Sequence, residues 1–308
     1  MKSEPEKVNE TVLRHAWQMA RDCDARAIVV CADVFRSPAE LRVHFLKDLS
    51  VRTIVVARDV RPFEDVAGDC VEVIQAPDVG LTRMEQIKMA ILLGISRRVL
   101  SHGERVVCLS GVAGSNHVDT VFLTKVGEEP EMFATADVEE LREHSNPEVF
   151  EKVLDIAIDL GQEGREGKPV GALFVVGDVE HVKEFCEPLI LNPLQGHPEE
   201  QRNILNAAVR ETIKELSALD GAFLVRDDGV VESAGVFLRC ITPGSALPPG
   251  LGALHRTAAG ITAATKATAI AVSESTGTVR VFRDGKIVIE IEKPRHVGSV
   301  GPVPGTSS

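Results

Sequence analysis

Three aspartates in the second half of the sequence, Asp220, Asp228 and Asp284, are each followed by a glycine. Asp228 and Asp284 lie between two strand-forming runs, which is typical of a tight hairpin turn. Asp220 instead follows the helical pattern ETIKELSAL and precedes the apolar run AFLV. Its carboxylate is therefore predicted at a helix-to-strand corner, where it is available for a functional role, although a plain turn remains the alternative.

A second candidate lies in PGSALPPGLGALHRTAAG, where glycines at 244, 250 and 252 precede a short helical pattern that carries His255 and Arg256. A helix N-terminus with nearby cations can bind an anion. The alternative is a solvated or capping His-Arg pair.

A third candidate is AVSESTG, where a strand ends in Ser273 and Glu274 before Gly277 turns the chain. Hydroxyls and a carboxylate at a strand end suit a metal-nucleotide site, and they equally suit a polar turn.

Length and composition limit the possible classes of protein. The chain has 308 residues, 44% hydrophobic and 26% charged, which predicts a globular protein with two domains. A net charge of -12, no tyrosine and one tryptophan argue against nucleic-acid binding. The sequence predicts no membrane span and no secretory signal, so we expect a cytoplasmic protein. Cys31 and Cys108 lie in apolar runs and are predicted to be buried free thiols.

The first 130 residues alternate short Val/Ile-rich runs with helical patterns, which predicts an α/β domain with a parallel or mixed sheet. Residues 8–22 read as a helix capped by Asn9 or Thr11, and residues 37–49 read as a second helix with Ser37 as its cap.

Residues 131–297 are predicted to form a second domain. It opens with an acidic linker helix that reaches GQ at 161–162 and continues as a mixed β-sheet flanked by helices. Residues 298–308, rich in Gly, Pro and Ser, are predicted to be a disordered tail.

Taken in order, DGAFLV, GVFL, GALHRTAAGIT, VSESTG and DG before KIVIEI resemble the diadenylate cyclase (DAC) family. The GALFVVGD strand and the RNIL segment resemble its archaeal-type members, often called DacZ. Those members carry an N-terminal domain similar to the C-terminal domain of pyruvate kinase, and residues 1–130 fit that layout.

The resemblance implies condensation of two ATP molecules to cyclic di-AMP with release of two pyrophosphates, in a metal-dependent reaction that uses Mn²⁺ or Mg²⁺. It implies that Asp220 and Glu274 are the metal ligands and that Asp220, His255 and Arg256 are the catalytic residues. The residues that it implies for ATP binding are Gly221, Ala222, Gly252, His255, Arg256, Ser273 and Glu274. Because each ATP is both nucleophile and electrophile, two identical sites are expected to face each other in a homodimer or a higher homo-oligomer.

The match departs from the family pattern at three positions. Ala253 and Leu254 stand where the family usually has threonine and arginine, and Ser275 stands where a second acidic residue is common. Arg239 and Lys266 are the two candidates to substitute for the missing guanidinium. These departures leave open a catalytically impaired nucleotide-binding or regulatory protein as an alternative to an active cyclase.

The N-terminal domain has one further candidate, the loop SGVAGSNH at 110–117, which follows a strand. Consecutive backbone amides there could form an anion nest for an effector phosphate, as the pyruvate-kinase resemblance hints. The alternative is an ordinary strand-to-strand loop.

Overall fold

The fold consists of two β-sheets with helices packed on their faces. We describe it from a computed structural model, which describes residues 4–35, 51–66, 70–128, 146–239 and 250–293. The α/β class predicted from the sequence is confirmed. Within these residues, no helix combines the length and the hydropathy that crossing a bilayer requires.

The first sheet has the order β3-β2-β1-β4-β5, in which the first four strands are parallel and the last is antiparallel. Its strands are β1 (Ala27–Cys31), β2 (Arg52–Ala57), β3 (Val71–Gln75), β4 (Arg105–Gly111) and β5 (Val118–Lys125). Helix α1 (Glu4–Asp22) packs on one face and α2 (Arg83–Ser96) on the other. Strands covered on both faces are apolar throughout, which is why β1 reads AIVVC with every residue buried.

The second sheet has the order β12-β11-β10-β6-β8-β9-β7. Its strands are β6 (Ala172–Val176), β7 (Cys186–Pro188), β8 (Ala222–Val225), β9 (Val231–Leu238), β10 (Thr268–Val272), β11 (Val279–Arg283) and β12 (Lys286–Ile291). The helices of this part are α3 (Pro147–Glu163), α4 (Val179–Lys183), α5 (Ala207–Leu216) and α6 (Ala253–Ala264). Strands β6 and β8 are parallel, and every other pairing in this sheet is antiparallel.

Two apolar layers enclose the second sheet. Helix α3 buries Phe150 and Leu154 in a core that also contains residues of the first sheet and of α2. Helix α6 packs Ala258 and Ile261 on the opposite face. Ala259 is buried between them, so a continuous inner face of α6 packs on the sheet.

Several local predictions can be compared directly with the structure. Asp228 lies in the turn between β8 and β9, and Asp284 lies in the turn between β11 and β12, so both hairpins are confirmed. Cys31 and Cys108 are buried free cysteines, as predicted. The predicted helix at 37–49 and the predicted tail at 298–308 lie outside the described residues.

The predicted cap of the first helix is wrong, because α1 begins at Glu4 and both Asn9 and Thr11 lie inside it. Asn9 is buried and binds the loop before β5. Its amide nitrogen donates to the Asn116 carbonyl at 2.9 Å, and its oxygen accepts from the Val118 amide at 2.9 Å. Asn9 therefore fastens α1 to this loop.

Several backbone amides of the loop 110–117 already donate hydrogen bonds within the protein. Gly114 donates to the Asp33 carbonyl, Asn116 to the Val34 carbonyl, and His117 to the Ser115 hydroxyl. An anion nest needs consecutive amides that have no other acceptor. The structure therefore favours the ordinary strand-to-strand loop over the effector site.

Candidate active site

Three segments that are far apart in sequence meet at one edge of the second sheet. Strands β6 and β8 are parallel and in register at Leu173 and Ala222, so the residues before them lie side by side. Strand β10 runs antiparallel to β6 and pairs Val272 with Ala172, so its end lies at that same edge. This topology brings Asp220 together with Glu274, although they are 54 residues apart in sequence.

A cavity of about 850 Å³ opens at this edge. Its polar lining includes Asp220, His255, Arg280 and the residues 273–276 of the turn after β10. Gly252 and Leu254 complete the wall on the side of α6. The volume lies within the range of small-molecule sites in proteins, so the cavity can hold a nucleotide-sized ligand.

Asp220 is exposed at the corner between α5 and β8, and its Oδ1 accepts a hydrogen bond from the Gly221 amide at 2.9 Å. Gly221 has a φ of +105°, a conformation that favours glycine. A Cβ on Gly221 would lie 2.7 Å from the Val236 nitrogen. This glycine therefore lets the corner pass close to β9 and sets the position of the carboxylate.

The segment after β10 forms a compact turn. The Ser273 amide donates to the Thr278 carbonyl at 2.9 Å, and the Gly277 amide donates back to the Ser273 carbonyl at 2.8 Å. These bonds close the loop and leave the Glu274 side chain exposed at the cavity. The predicted strand-end carboxylate is thus positioned by the backbone of its own turn.

Helix α6 points its N-terminus at the cavity. Gly252 is the N-cap and offers no side-chain cap, so the first amides of the helix have no partner within it. Free amides and the positive end of the helix dipole favour an anion here. This part of the wall is therefore suited to phosphate oxygens.

His255 is buried in the first turn of α6, with only 4% of its surface exposed. The Arg280 Nη1 lies 3.1 Å from its Nε2, and a guanidinium can only donate, so Nε2 is the acceptor and the proton is on Nδ1. Burial and the charge of Arg280 lower the pKa of His255 to about 4, although Glu290 opposes them. The imidazole is therefore neutral at pH 7.

This lowered pKa predicts a pH dependence of folding stability. The unfolded histidine has a pKa near 6.5, so below that pH the unfolded chain binds a proton that the folded chain does not. The free energy of unfolding should fall between pH 6.5 and 4 by up to about 1.4 kcal/mol per pH unit from this group. Denaturant titrations of the wild type and of His255→Gln at several pH values measure it. An identical pH dependence in the two proteins would contradict the assignment.

Three predicted site residues are not among those that line the cavity. Gly221 lies between Asp220 and β8, behind the lining. Ala222 is 2% exposed and packs in the core beneath α6, because it is the first residue of a strand that is buried along its whole length. Arg256 is exposed on α6, outside the residues that line the cavity, because the helix turns it away from buried His255. Its side chain makes no hydrogen bond or ion pair to the part of the chain that the structure describes.

The two suggested substitutes for the missing guanidinium are also located elsewhere. Arg239 donates to the Glu184 carbonyl at 2.6 Å and lies 3.7 Å from Glu187. Lys266 lies beyond the C-terminal end of α6, where its amide donates to Asp178. Neither residue lines the cavity.

Sequence reasoning missed two residues of this site. Gly171 precedes β6, and a Cβ there would lie 3.2 Å from Leu254 and 3.3 Å from the Glu274 Cβ. Arg280 is the second residue of β11, whose sequence VRVFR also contains Arg283 at its end. An arginine between two valines inside a strand was the available signal.

The cavity offers two carboxylates to a divalent cation, those of Asp220 and Glu274. Within the described residues, no group of three or more His, Cys, Asp or Glu side chains is placed to hold a metal. Asp220 and Glu274 nevertheless line one cavity from two different segments. Mg²⁺ is commonly held by one or two carboxylates together with substrate phosphates. The residues therefore fit a cation that binds together with a nucleotide.

Two family models and several known proteins are similar to this chain. A family model described as "DisA bacterial checkpoint controller nucleotide-binding" matches residues 159–287, and one described as "Probable sensor domain DacZ_P" matches residues 9–133. A pyruvate kinase from Cryptosporidium parvum aligns with 41% of this chain and 23% of its own, at 14% identity and a TM-score of 0.32.

Two curated relatives match most of the chain. A protein of Methanocaldococcus jannaschii named diadenylate cyclase is 31% identical over 304 residues, which cover 93% of this chain and 97% of that protein. A protein of Haloferax volcanii with the same name is 35% identical over 213 residues, which cover 68% of this chain and 75% of that protein. With this coverage and the matching nucleotide-binding model, the chain belongs to the diadenylate cyclase family.

Proposed function

We propose that this protein condenses two ATP molecules into cyclic di-AMP and releases two pyrophosphates, at the cavity between β6, β8, β10 and α6. The observation that carries the proposal is that two carboxylates, a helix N-terminus and a guanidinium all line this one cavity. Each 3′-hydroxyl must attack the α-phosphorus of the other ATP in line. The task of the protein is therefore to position the reactants and to balance their charge.

Asp220 and Glu274 would hold the divalent cation, Mn²⁺ or Mg²⁺. When bound, such a cation neutralises phosphate charge and polarises the α-phosphate. The exposure of both carboxylates supports this role, because neither is committed to an ion pair in the described part of the chain.

The phosphates would lie against the N-terminal turn of α6 and the hydroxyl of Ser273, both of which face the cavity. His255 adds a neutral donor, since Nδ1 carries its proton and makes no hydrogen bond to the residues that the structure describes. A neutral imidazole donates to a phosphate oxygen without a change of protonation at neutral pH.

The second ATP would be held by a second copy of the chain facing the first. Arg256 supports this arrangement, because it is exposed on α6 next to His255 and outside the cavity lining, where it would be available to a nucleotide bound by the other copy. The exposed apolar side chains of this half support it too. Leu189, Leu191 and Phe237 lie on and next to β7 and β9, and Ile190 contacts Gly235 beside the Asp220 carbonyl.

The experiment is to incubate the purified protein with ATP and either Mn²⁺ or Mg²⁺ over a range of protein concentrations and to separate the products by chromatography. We expect cyclic di-AMP, no product after chelation of the metal, and a rate per chain that falls on dilution as the dimer dissociates. ATP binding without product in either metal would instead support the impaired nucleotide-binding alternative. A rate per chain that stays constant down to concentrations where the protein is monomeric would contradict the dimer.

We also propose the division into an N-terminal domain of residues 1–130, with the pyruvate-kinase-like layout, and a cyclase domain of residues 131–297. Limited proteolysis followed by mass spectrometry should give fragments that end near residue 130. Stable fragments that end inside either sheet would contradict this division.

A further inference from the structure

Arg280 is the one cation among the described residues that line the large cavity. The other charged groups of that lining are the carboxylates of Asp220 and Glu274. Leu254 lines the cavity from α6 and is uncharged. An anionic ligand in this cavity therefore meets one guanidinium from the protein.

The guanidinium of Arg280 is held in a fixed orientation. Arg280 and Glu290 are directly opposite each other in the pairing of β11 with β12. Its Nε donates to Glu290 Oε2 at 2.7 Å and its Nη2 to Oε1 at 3.0 Å, a bidentate pair that fixes the plane of the group. The third bond, from Nη1 to His255 at 3.1 Å, adds a further constraint.

These three bonds leave donors unused. A guanidinium has five N–H groups, so two remain for a ligand in the cavity. The side chain of Arg280 is 15% exposed, so its charge is poorly screened, and little side-chain entropy remains to be lost when a ligand binds. A preorganised, partly buried guanidinium is well suited to phosphate recognition.

We propose that Arg280 is the phosphate-binding cation of this site and supplies from the sheet the guanidinium that Leu254 does not supply from the helix. This inference rests on the proposed function, because the ligand it concerns is the triphosphate of ATP. Arg239 and Lys266 do not compete for this role, since neither lines the cavity.

The test measures the affinity of 3′-deoxy-ATP, which carries the triphosphate but lacks the attacking hydroxyl, by calorimetry in the presence of Mg²⁺. Arg280→Met should weaken binding about 10- to 100-fold, the loss expected for hydrogen bonds to a charged group. Binding of 3′-deoxyadenosine, which has no phosphate, should change less than about twofold. Arg239→Met is the matched control, since it removes an arginine outside the cavity and should bind 3′-deoxy-ATP like the wild type.

Two double variants separate phosphate binding from a structural role. Removing Arg280 leaves Glu290 without its partner, so Arg280→Met/Glu290→Met relieves that penalty. If Arg280 only balanced Glu290, this double variant would regain affinity, which would overturn the proposal. If Arg280 binds phosphate, affinity stays low there and returns at least in part in Leu254→Arg/Arg280→Met, which restores a guanidinium to the same cavity.

Because the ligand cannot condense, this test does not depend on turnover. A wild type that binds 3′-deoxy-ATP but makes no cyclic di-AMP from ATP would contradict the proposed function and leave the role of Arg280 to be decided by the variants. Equal affinities in the wild type and Arg280→Met would overturn the role of Arg280, whether or not the wild type is active.

Discussion

Replacing Asp220 with asparagine should lower the rate of cyclic di-AMP formation by about 10³-fold or more, the scale on which removing one charge acts in other phosphoryl-transfer enzymes. The amide has nearly the shape of the carboxylate and can still accept the bond from the Gly221 amide. What it loses is the negative charge that would hold the divalent cation. The measurement is the initial rate with ATP and Mn²⁺, together with the melting temperature of the variant.

Asp228→Asn is the matched control for this substitution. Asp228 also precedes a glycine, but it lies in the β8–β9 hairpin, where it pairs with Arg226. This variant should lose a surface ion pair, which is worth at most about 1 kcal/mol, and should keep its rate within about twofold. If both asparagine variants lost activity equally, or if neither did, the special role of Asp220 would be wrong.

The second large effect is expected at Gly221. In Gly221→Ala, the new Cβ would lie 2.7 Å from the Val236 nitrogen and 2.8 Å from the Gly235 carbonyl carbon. Backbone cannot move aside as a side-chain tip can, so the corner that carries Asp220 must shift. We expect a loss of about 1–3 kcal/mol in the free energy of unfolding from the strained φ. We also expect about a 10²-fold lower rate, because misplacement of a catalytic group by about 1 Å costs that much.

Gly229→Ala distinguishes the effect of backbone strain from the effect of a misplaced Asp220 carboxylate. Gly229 has a φ of +89°, and its Cβ would contact the Asn203 side chain at 2.7 Å rather than backbone. It should lose stability on a similar scale while its rate stays close to that of the wild type. Denaturant titrations and initial rates of both variants are the measurements, and a comparable loss of rate in Gly229→Ala would show that strain alone explains the effect at Gly221.

The helices and strands of this fold, and the segments that carry the site, were largely predictable from local sequence patterns. The glycine after Asp228 and the strands on either side of it identify a hairpin without knowledge of the rest of the chain. Glu274 could be assigned to a strand end because the apolar run ATAIAV stops at residue 272. What linked these segments was their order along the chain, which matches one family.

The partner of Arg280 could not be predicted in this way. Counting outward from the two-residue turn after Arg283 pairs Arg280 with Ile289 if the ladder is regular. A bulge between Val281 and Phe282 shifts the register by one residue and places Glu290 opposite Arg280. A shift of one residue decides which side chain meets the guanidinium, and it is visible only in three dimensions.

The positions of Arg256 and Ala222 relative to the cavity could not be predicted from the sequence either. A motif groups residues by their order, whereas a helix turns neighbouring residues by about 100°, so buried His255 and exposed Arg256 cannot face the same wall. Asn9 illustrates the same limit. It has the residue type of a helix cap, but its contacts with Asn116 and Val118 depend on tertiary packing.

The central claim is that this protein joins two ATP molecules head to tail, and the most direct measurement is the molar ratio of its products. The protein is incubated with ATP and Mn²⁺ or Mg²⁺, and pyrophosphate and cyclic di-AMP are quantified in the same sample. The account predicts two pyrophosphates for each cyclic di-AMP and loss of both products in Asp220→Asn. Bound ATP with neither product, or ATP consumed to ADP and phosphate alone, would contradict it.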